Sequence, residues 1–385
     1  MKTGLISLAT IFVAIIVGCK TSDSQPAAES PYPKVNVAPW FEVDPEWPKR
    51  PADIPWSDMP GVAIDKTDNI WCYTRIQPAI QVYSPEGTLI KSWSTETNST
   101  AHQIKIDKTG NVWLADIGLH LVRKFTPDGK ELMHIGTPGE AGNDETHLNK
   151  PTDMAITSNG DVFISDGYGN ARIVHCDKNG KFIKAWGTLG NTDGRFSIPH
   201  AIAIDSKDRI YVADRNNVRI QVYDTDGKLV DSWRNIVVPW GFCITENDDI
   251  WVCGSSPMKW RFNPKYPGAP LGCPPKDQVF MRFRPNGRLM QMWTIPKATD
   301  GEERPGELNW LHCLAVDKTG NIYAGDIIKA IKIDINKTFT GAISPNGMKI
   351  LAGPISLTRE ELTKKVAKLI GVRVRIFSLP LWIKL

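Results

Sequence analysis

The sequence predicts an all-β protein, a six-bladed β-propeller, and three observations support this prediction. A fifteen-residue phrase recurs six times, each copy contains two apolar alternating runs around a polar turn, and a second hairpin pattern follows several copies. Alternation with a period of two is typical of half-buried strands, and a short turn rich in Asp, Asn and Gly joins two strands into a hairpin. Four strands in a repeat of about 40–50 residues are the pattern of a propeller blade.

The composition is that of a folded domain with a neutral body. Hydrophobic residues make up 41% of the 385 residues, and the 31 glycines and 28 prolines together are too few for a collagen-like or disordered chain. The net charge is +4, and from Arg359 onward seven Lys and Arg oppose two acidic residues. Upstream of that point the chain sums to −1, so no clustered basic surface indicates a nucleic-acid partner.

The N-terminus predicts export. An apolar run from Leu5 to Val17 is too short for a bilayer span of about 20 residues and fits the core of a signal peptide. Val17-Gly18-Cys19 resembles the bacterial lipobox, whose cysteine is lipidated and becomes the mature N-terminus. We therefore expect a lipoprotein-type signal peptide at 1–19, lipidation at Cys19, a tether at 20–39, and a body anchored to a bacterial cell membrane outside the cytoplasm. An ordinary secretory signal with an incidental cysteine is the alternative.

The remaining boundaries place the propeller at 40–356 and a C-terminal amphipathic helix and tail at 357–385. Thr358 and Glu361 form a capping box before a helical apolar stripe. We expect this helix to pack on its own domain, with an anionic surface as the alternative. After Asp326 the hairpin pattern is blurred, which leaves the closure of the sixth blade open. A propeller pairs its own strand edges, so we expect a monomer.

Six cysteines follow Cys19, and no Cys-x-x-Cys pair indicates a thiolate zinc site. We expect most of them to be buried thiols.

The six copies align without a gap and define one equivalent first position. Intervals of 41, 50, 48 and 40 residues separate the first five copies, and 72 residues separate the fifth from the sixth. The long interval contains a Pro/Gly-rich insertion, roughly Ser255 to Lys276, which we expect to form a loop over one face. The first residues of the copies are Gly61, His102, Thr152, His200, Trp240 and His312.

Histidine occupies every second copy, as His102, His200 and His312. Alternate blades of a six-bladed ring are related by about 120°, so three imidazoles at these places converge on the axis. Three histidines leave a coordination position open, as catalytic zinc sites do. Iron, copper and nickel are also compatible with imidazole ligands. The alternative is an ordinary core or surface role, which we assign to the four other histidines, His120, His134, His147 and His175.

A second equivalent position lies fourteen residues further along each copy. Aspartates there are expected to cap turns or to bond between blades. Arg75 departs from this pattern, so we expect it to face the channel and to bind an anionic or polar substrate group. Tyr168 and Arg215 lie near the corresponding places of other blades, and a tyrosine near a metal and a guanidinium is a candidate base. The residues at this second position are Arg75, Asp116, Asp166, Asp214, Gly254 and Asp326.

The repeat resembles NHL repeats, and three segments within it resemble the peptidyl-α-hydroxyglycine α-amidating lyases. These segments are SDGYGNARIV from Ser165, SIPHAIAI from Ser197 and VADRNNVRIQ from Val212, and the likeness extends from about Pro60 to Asp326. The resemblance implies a six-bladed propeller with zinc on the three histidines, His102, His200 and His312. It also implies a catalytic tyrosine at Tyr168 and active-site arginines at Arg75 and Arg215.

The resemblance further implies cleavage of the C–N bond of an N-acyl or peptidyl α-hydroxyglycine to an amide and glyoxylate. Two departures matter. Cys313 replaces the aspartate that binds calcium in that family, which argues against structural calcium, and Gly169 replaces a cysteine, which argues against that disulfide.

Two other functions stay open. A non-catalytic NHL propeller scaffold at the cell surface has no need of three coaxial histidines. A lactonase-like propeller metallohydrolase usually presents carboxylates and Asn to calcium, whereas this channel presents histidines. Under the lyase hypothesis the partners are a small α-hydroxyglycine-type substrate and the membrane, reached through the N-terminal lipid.

Overall fold

The computed structural model describes residues 41–234, 236–256, 261–263, 266–271, 278–295, 297–298, 307–326 and 330–334. These residues belong to the unit Ala38–Leu385. The predicted signal peptide, Cys19, the tether and the C-terminal helix lie outside the described residues and stay predictions, as does the propeller boundary at residue 356. Within the described part, no helix has the length and apolar character needed to cross a membrane.

The described strands form six four-stranded antiparallel sheets and a separate hairpin. The first blade contains β2 (Gly61–Ile64), β3 (Ile70–Tyr73), β4 (Ile80–Tyr83) and β5 (Leu89–Trp93). The second contains β6 (Ala101–Ile106), β7 (Val112–Asp116), β8 (Leu121–Phe125) and β9 (Glu131–Ile135). The third contains β10 (Asp153–Ile156), β11 (Val162–Asp166), β12 (Arg172–Cys176) and β13 (Phe182–Trp186).

The second half of the ring repeats this arrangement. The fourth blade contains β14 (Pro199–Ile204), β15 (Ile210–Asp214), a 3-10 helix (Arg215–Asn217), β16 (Arg219–Tyr223) and β17 (Leu229–Arg234). The fifth contains β18 (Val238–Ile244), β19 (Ile250–Ser255), β22 (Gln278–Phe283) and β23 (Leu289–Ile295), with the hairpin β20 (Arg261–Asn263) and β21 (Tyr266–Leu271) inserted. The sixth contains β24 (Leu311–Val316), β25 (Ile322–Asp326), β26 (Ala330–Asp334) and β1 (Glu42–Asp44).

The first strand of each repeat is the innermost one, and the predicted all-β propeller is confirmed. Each innermost strand lies beside that of the next blade, and β24 of the sixth blade lies beside β2 of the first, so the ring is closed. Apolar side chains fill the space between neighbouring blades; Phe163, Ile202 and Tyr223 pack together between the third and fourth. Full burial of such a side chain stabilises the fold by about 1.5–3 kcal/mol.

The ring closes with a strand from the N-terminal side of the propeller, which the sequence analysis left open. Strand β1 forms the outer edge of the sixth blade, where Val43 pairs with Ile333 of β26. The preceding Phe41 stacks on Trp293 of the fifth blade at 4.6 Å between ring centroids. Separation of β1 from β26 in the sixth blade therefore breaks contacts between segments that are far apart in the chain.

The predicted gapless alignment is wrong by one residue for the first copy. Ile64 pairs with Ile70 across the first hairpin, and Ile106 pairs with Val112 across the second, so the offset between the two copies is 42 residues. A turn fixes the register of its hairpin, and the two turns contain matching Asp-Lys-Thr segments. Pro60, not Gly61, therefore occupies the place of His102.

This shift changes the interpretation of Arg75. Thr74 takes the place of the aspartates at the end of the second strand, and Arg75 becomes the equivalent of Arg215. The two arginines stand at the same position of the first and fourth blades, three blades apart. They therefore lie on opposite sides of the ring. Arg75 is not an exception among the aspartate positions, contrary to the expectation from the sequence.

Two structural predictions are confirmed within the described residues. The aspartates cap turns: Asp116 accepts hydrogen bonds from the backbone amides of Thr100, Gly118 and Leu119, and it is fully buried. The cysteines are free thiols, and all but the half-buried Cys243 are buried. The other buried aspartates at this position of the repeat are Asp166, Asp214 and Asp326. The buried cysteines are Cys72, Cys176, Cys253 and Cys313.

The insertion of the fifth blade contains the hairpin β20–β21, where the sequence predicted a loop. Strand β21 lies against the 3-10 helix Arg215–Asn217. The insertion therefore reaches the part of the fourth blade that carries Arg215.

Candidate functional site

Backbone bulges turn the three predicted histidines out of their strands. In β6 the register with β7 shifts between Ala101 and Gln103, so His102 is the extra residue. The same shift occurs around His200 in β14 and around His312 in β24. A bulge re-aims a side chain that regular pairing would hold on one face of the sheet. This backbone feature lets each histidine point towards the axis.

The three imidazoles meet at one point. One ring nitrogen from each of His102, His200 and His312 lies within 4.8 Å of the others. Their ring centroids are separated by 4.7 to 4.9 Å, and each residue is at most 1% exposed. This group is the one cluster of three or more His, Cys, Asp or Glu side chains found with this geometry in the part of the chain that the structure describes.

A backbone carbonyl of the next blade fixes the tautomer of each histidine. Nδ1 of His102 bonds to the carbonyl of Thr152, Nδ1 of His200 lies 2.6 Å from that of Trp240, and Nδ1 of His312 lies 2.8 Å from that of Pro60. A carbonyl oxygen only accepts, so each Nδ1–H donates and each Nε2 keeps its lone pair. This second contact is what metal-ligating histidines usually have.

Burial keeps these imidazoles neutral. It lowers the pKa of His312 to about 3, and the nearby Arg75 and Arg215 act in the same direction. The pKa values of His102 and His200 also lie well below the ordinary value, chiefly because of burial and then because of neighbouring positive groups. A neutral imidazole is the form that binds a metal ion.

The donor set fits a divalent transition metal. Three neutral nitrogens on a rigid ring match the ligand type that zinc, iron, copper and nickel share. Nε2 of His312 is buried and has no hydrogen-bond partner. A buried polar atom without a partner costs about 1–3 kcal/mol, so the site is built for a ligand at that atom.

The structure brings Tyr168 to this cluster. Its hydroxyl oxygen lies 3.1 Å from Nε2 of His102 and 2.9 Å from Nε2 of His200. The tyrosine lies just beyond β11, where its amide donates to the carbonyl of Lys150 at 3.3 Å. Tyr168 is half-buried, whereas the three histidines are buried.

Two glycines let the Tyr168 segment pass close to its neighbours. A Cβ on Gly167 would lie 2.0 Å from the carbonyl oxygen of Pro199, and one on Gly169 would lie 2.0 Å from Oδ1 of Asn149. Neither position tolerates a larger residue without movement. The backbone on both sides of the phenol therefore lies too close to Pro199 and Asn149 to carry a larger residue.

The two arginines flank the cluster from opposite blades. Nη1 of Arg75 lies 2.9 Å from Oδ2 of Asp58, and its Nε donates to the carbonyl of Ala101 at 3.3 Å. The guanidinium carbon of Arg215 lies 5.7 Å from the centre of the Tyr168 ring. Both guanidinium groups are close enough to lower histidine pKa values, and Asp58 is a partner that the sequence analysis missed.

Trp240 is a site residue to which the sequence analysis gave no role. It occupies the bulge of β18, the equivalent of the histidine position, and its ring lies 5.2 Å from that of His200. The guanidinium carbon of Arg215 lies 4.6 Å from the Trp240 ring, a distance at which cation–π attraction is effective. Its place in the repeat was visible in the sequence, but only the histidines were assigned a function there.

The remaining histidines make ordinary contacts, as predicted. His175 stacks on Phe163 at 4.1 Å, and Nε2 of the same histidine lies 3.0 Å from Asp161. His134 contacts Glu131 on the surface. The two others, His120 and His147, contact the amide of Lys150 and the carboxylate of Asp144.

Comparison with known proteins identifies NHL repeats in this chain and several proteins similar to it. The NHL-repeat family matches residues 148–176 and 196–223. The peptidylglycine alpha-amidating monooxygenase of Rattus norvegicus is 44% identical over 135 residues, which cover 33% of this chain and 14% of that protein. The NHL repeat-containing protein 3 of Homo sapiens is 30% identical over 246 residues, 58% of this chain and 64% of that protein.

A relative named for the lyase activity alone is also found. The peptidyl-alpha-hydroxyglycine alpha-amidating lyase 1 of Drosophila melanogaster is 32% identical over 167 residues, 40% of this chain and 30% of that protein. This chain thus spans less than two thirds of the length of each of these relatives. Among solved structures, a streptogramin B lyase matches with a TM-score of 0.51 and 16% identity over 77% of this chain and 97% of that chain, a likeness of fold alone.

Proposed function

We propose that this chain, as one of the NHL-repeat β-propellers related to the amidating lyases, is a metal-dependent carbon–nitrogen lyase. Its proposed substrate is an N-acyl or peptidyl α-hydroxyglycine. The Drosophila melanogaster relative named as an amidating lyase supports an enzyme of this kind. The observation that carries the proposal is the position of the Tyr168 hydroxyl oxygen, which lies within hydrogen-bond distance of Nε2 of both His102 and His200 and can donate to one of them at a time.

The proposed reaction balances without another reactant. The hydroxyl group of the substrate loses its proton, its C–O bond becomes the carbonyl of glyoxylate, and the bond from that carbon to the amide nitrogen breaks. The nitrogen takes up a proton and leaves as a primary amide. One acid–base group that first accepts and then returns a proton is sufficient.

The histidines would hold the metal through their three Nε2 atoms, with zinc the favoured ion. When bound, zinc supplies Lewis-acid chemistry to an oxygen of the substrate. The backbone carbonyls behind the rings keep the three lone pairs aimed inward, and the buried ring resists protonation down to low pH. The same properties suit iron, copper or nickel, so elemental analysis of the purified protein distinguishes these ions from zinc.

Tyr168 is the proposed acid–base residue. Its hydroxyl oxygen lies beside the histidine nitrogens and the residue is only half-buried, so a substrate hydroxyl bound next to the cluster would be within reach of it. Proton transfer by a positioned side chain typically accelerates a reaction by about 10²–10⁴-fold. Backbone hydrogen bonds from the amides of Tyr168 and Gly169 to the carbonyls of Lys150 and Asn149 restrain the phenol at that place.

The arginines are the proposed carboxylate-binding groups. Arg215 lies next to Tyr168, and Arg75 approaches from the opposite blade with one nitrogen on Asp58. A guanidinium presents paired donors that match a carboxylate, and it stabilises negative charge that develops on the departing glyoxylate. A substrate held from both sides would have its reacting carbon above the histidines.

The test is metal analysis of the purified full-length chain followed by measurement of glyoxylate release from N-benzoyl-α-hydroxyglycine. We expect one bound transition metal per chain and release of glyoxylate. Tyr168→Phe should lower turnover at least 100-fold while metal content is unchanged. Tyr223→Phe, which removes a buried phenol that bonds to Gln221 away from the site, is the matched control and should retain both properties.

Other outcomes would favour the alternatives. Bound metal without glyoxylate release would favour a propeller metallohydrolase. A protein with neither property would favour a non-catalytic scaffold, a possibility in keeping with the name of the human relative, which mentions only the repeat.

A further inference from the structure

The residues around the three histidines form a polar group and an aromatic group. Arg75 of the first blade, Tyr168 of the third and Arg215 of the fourth supply hydrogen-bonding and charged groups. The fifth and sixth blades supply Trp240 and Trp310 instead. The proposed reaction uses only the polar group, so the two tryptophans need a separate explanation.

The tryptophans form a continuous aromatic surface that begins at the histidines. The ring of Trp240 lies 5.2 Å from that of His200 and 5.9 Å from that of His312. The ring of Trp310 lies 5.9 Å from that of Trp240, at an angle of 77°. Trp240 is 8% exposed, whereas Trp310 is only half-buried, so Trp310 provides the accessible part of this surface.

This surface is separate from the cores between the blades. Trp240 packs with Val218 and Val238, and Trp310 lies against that small cluster. An indole that serves only the fold is expected inside a core between two blades, as Trp251 is. A half-buried indole beside a candidate catalytic centre is instead the usual kind of contact surface for an apolar ligand group.

We propose that Trp240 and Trp310 form the binding subsite for the acyl group of the substrate. This inference rests on the proposed lyase function. The reacting carbon carries a hydroxyl, a carboxylate and an acylamide. In the proposed reaction the hydroxyl is directed to Tyr168 and the carboxylate to the arginines. The acylamide then points towards the fifth and sixth blades.

The subsite favours a bulky apolar or aromatic acyl group over a small or cationic one. An aromatic ring packed on an indole adds about 0.5–1.5 kcal/mol beyond its burial. Arg215 lies 4.6 Å from the Trp240 ring and the ammonium of Lys297 lies 5.8 Å from the Trp310 ring, so positive charge already flanks both indoles. A second cation would be repelled there.

The test compares N-benzoyl- with N-acetyl-α-hydroxyglycine in the full-length metal-loaded protein. The ratio of their kcat/KM values for glyoxylate release should favour the benzoyl substrate, and it should fall about tenfold in Trp310→Ala. Trp310→Leu should give an intermediate ratio and serves if the alanine variant does not fold. Trp186→Ala, which removes a half-buried indole from the outer strand β13, is the matched control and should leave the ratio unchanged.

Binding without turnover supplies a second measurement. Calorimetry should find N-benzoylglycine bound more tightly than N-acetylglycine, with the difference reduced in Trp310→Ala. Turnover of both substrates with equal kcat/KM, or a ratio that Trp310→Ala and Trp310→Leu leave unchanged, would overturn the subsite and leave the lyase proposal standing. No glyoxylate from either substrate would overturn the lyase proposal, and the subsite with it.

Discussion

Replacement of Gly167 by alanine tests how closely the backbone positions Tyr168. The added Cβ would lie 2.0 Å from the carbonyl oxygen of Pro199, 3.0 Å from its carbonyl carbon and 3.0 Å from Oγ1 of Thr152. Ordinary contact begins at 3.4 Å, so the Tyr168 segment and the Pro199 backbone must separate by about 1.4 Å. The closest neighbour is a backbone atom, which cannot rotate away, and the residue after Pro199 is the predicted metal ligand His200.

A misplacement of about 1 Å in a catalytic group typically costs about 100-fold in rate. We therefore expect Gly167→Ala to lower kcat for glyoxylate release about 100-fold, with a loss of about 1–3 kcal/mol in the free energy of unfolding from overpacking. Glyoxylate release, metal content and urea unfolding would be measured together on the same preparation. Metal content should stay near that of the wild type if the three histidines keep their positions.

Gly180→Ala is the matched control for this experiment. Gly180 has a φ of 81°, so alanine is strained there, and the nearest atom to the new Cβ is the mobile Cε of Met133 at 2.5 Å. This variant should lose stability with kcat unchanged. Wild-type kcat in a folded Gly167→Ala protein would refute the reasoning, because it would mean that the Tyr168 position does not matter for turnover.

The remaining predictions concern the metal site, its pH dependence and the arginines. His312→Gln should reduce bound metal by at least tenfold in elemental analysis, and unchanged metal content would remove His312 from the ligand set. In the metal-stripped wild-type protein, His312 alone should lower the unfolding free energy by about 1.4 kcal/mol per pH unit as the pH falls from about 6.5 towards 3, because it takes up its proton only when unfolded. His102 and His200 should add to this slope in the same direction. Urea titrations should find a correspondingly smaller slope in His312→Gln, and equal slopes would contradict the buried neutral imidazole. Arg75→Lys keeps the charge but loses the paired donors, so steady-state kinetics should find KM raised about tenfold, and an unchanged KM would place the substrate carboxylate elsewhere.

The fold could be predicted from the sequence because the turns of the repeated hairpins have a recognisable composition, whereas the β20–β21 hairpin and the pairing of β25 with β26 were not predicted. Asp, Asn and Gly supply the positive φ that the turns require, as at Asp68 with 62° and Gly110 with 86°. Ring closure could not be predicted, since β1 is a three-residue strand without a usable pattern. Its place follows only from pairing with β26, a segment nearly 300 residues away.

The candidate site was predicted in part. The alternation of His102, His200 and His312 along the repeat was sufficient to predict that their imidazoles meet on the axis of the ring. The role of Tyr168 depended chiefly on the family resemblance. An alignment that starts the first copy at Gly61 is wrong by one residue, whereas an alignment on the turn gives the register of the structure. That error concealed the equivalence of Arg75 with its counterpart in the fourth blade.

The aromatic surface was missed for a different reason. Trp240 stands at the histidine position of the repeat and therefore shares its direction towards the axis, but an indole is not a metal ligand, so the repeat pattern alone indicated no role for it. Trp310 lies outside the repeated phrase and was given no role.

X-ray absorption spectroscopy of the purified full-length protein tests the central claim most directly. The account predicts about one metal ion per chain, with three imidazole nitrogen ligands, at about 2.0–2.1 Å if the metal is zinc. It also predicts that His200→Ala removes one imidazole from the fitted ligand set or abolishes binding. A protein without bound metal after loading, or a metal whose ligands are thiolates or carboxylates rather than imidazoles, would contradict it.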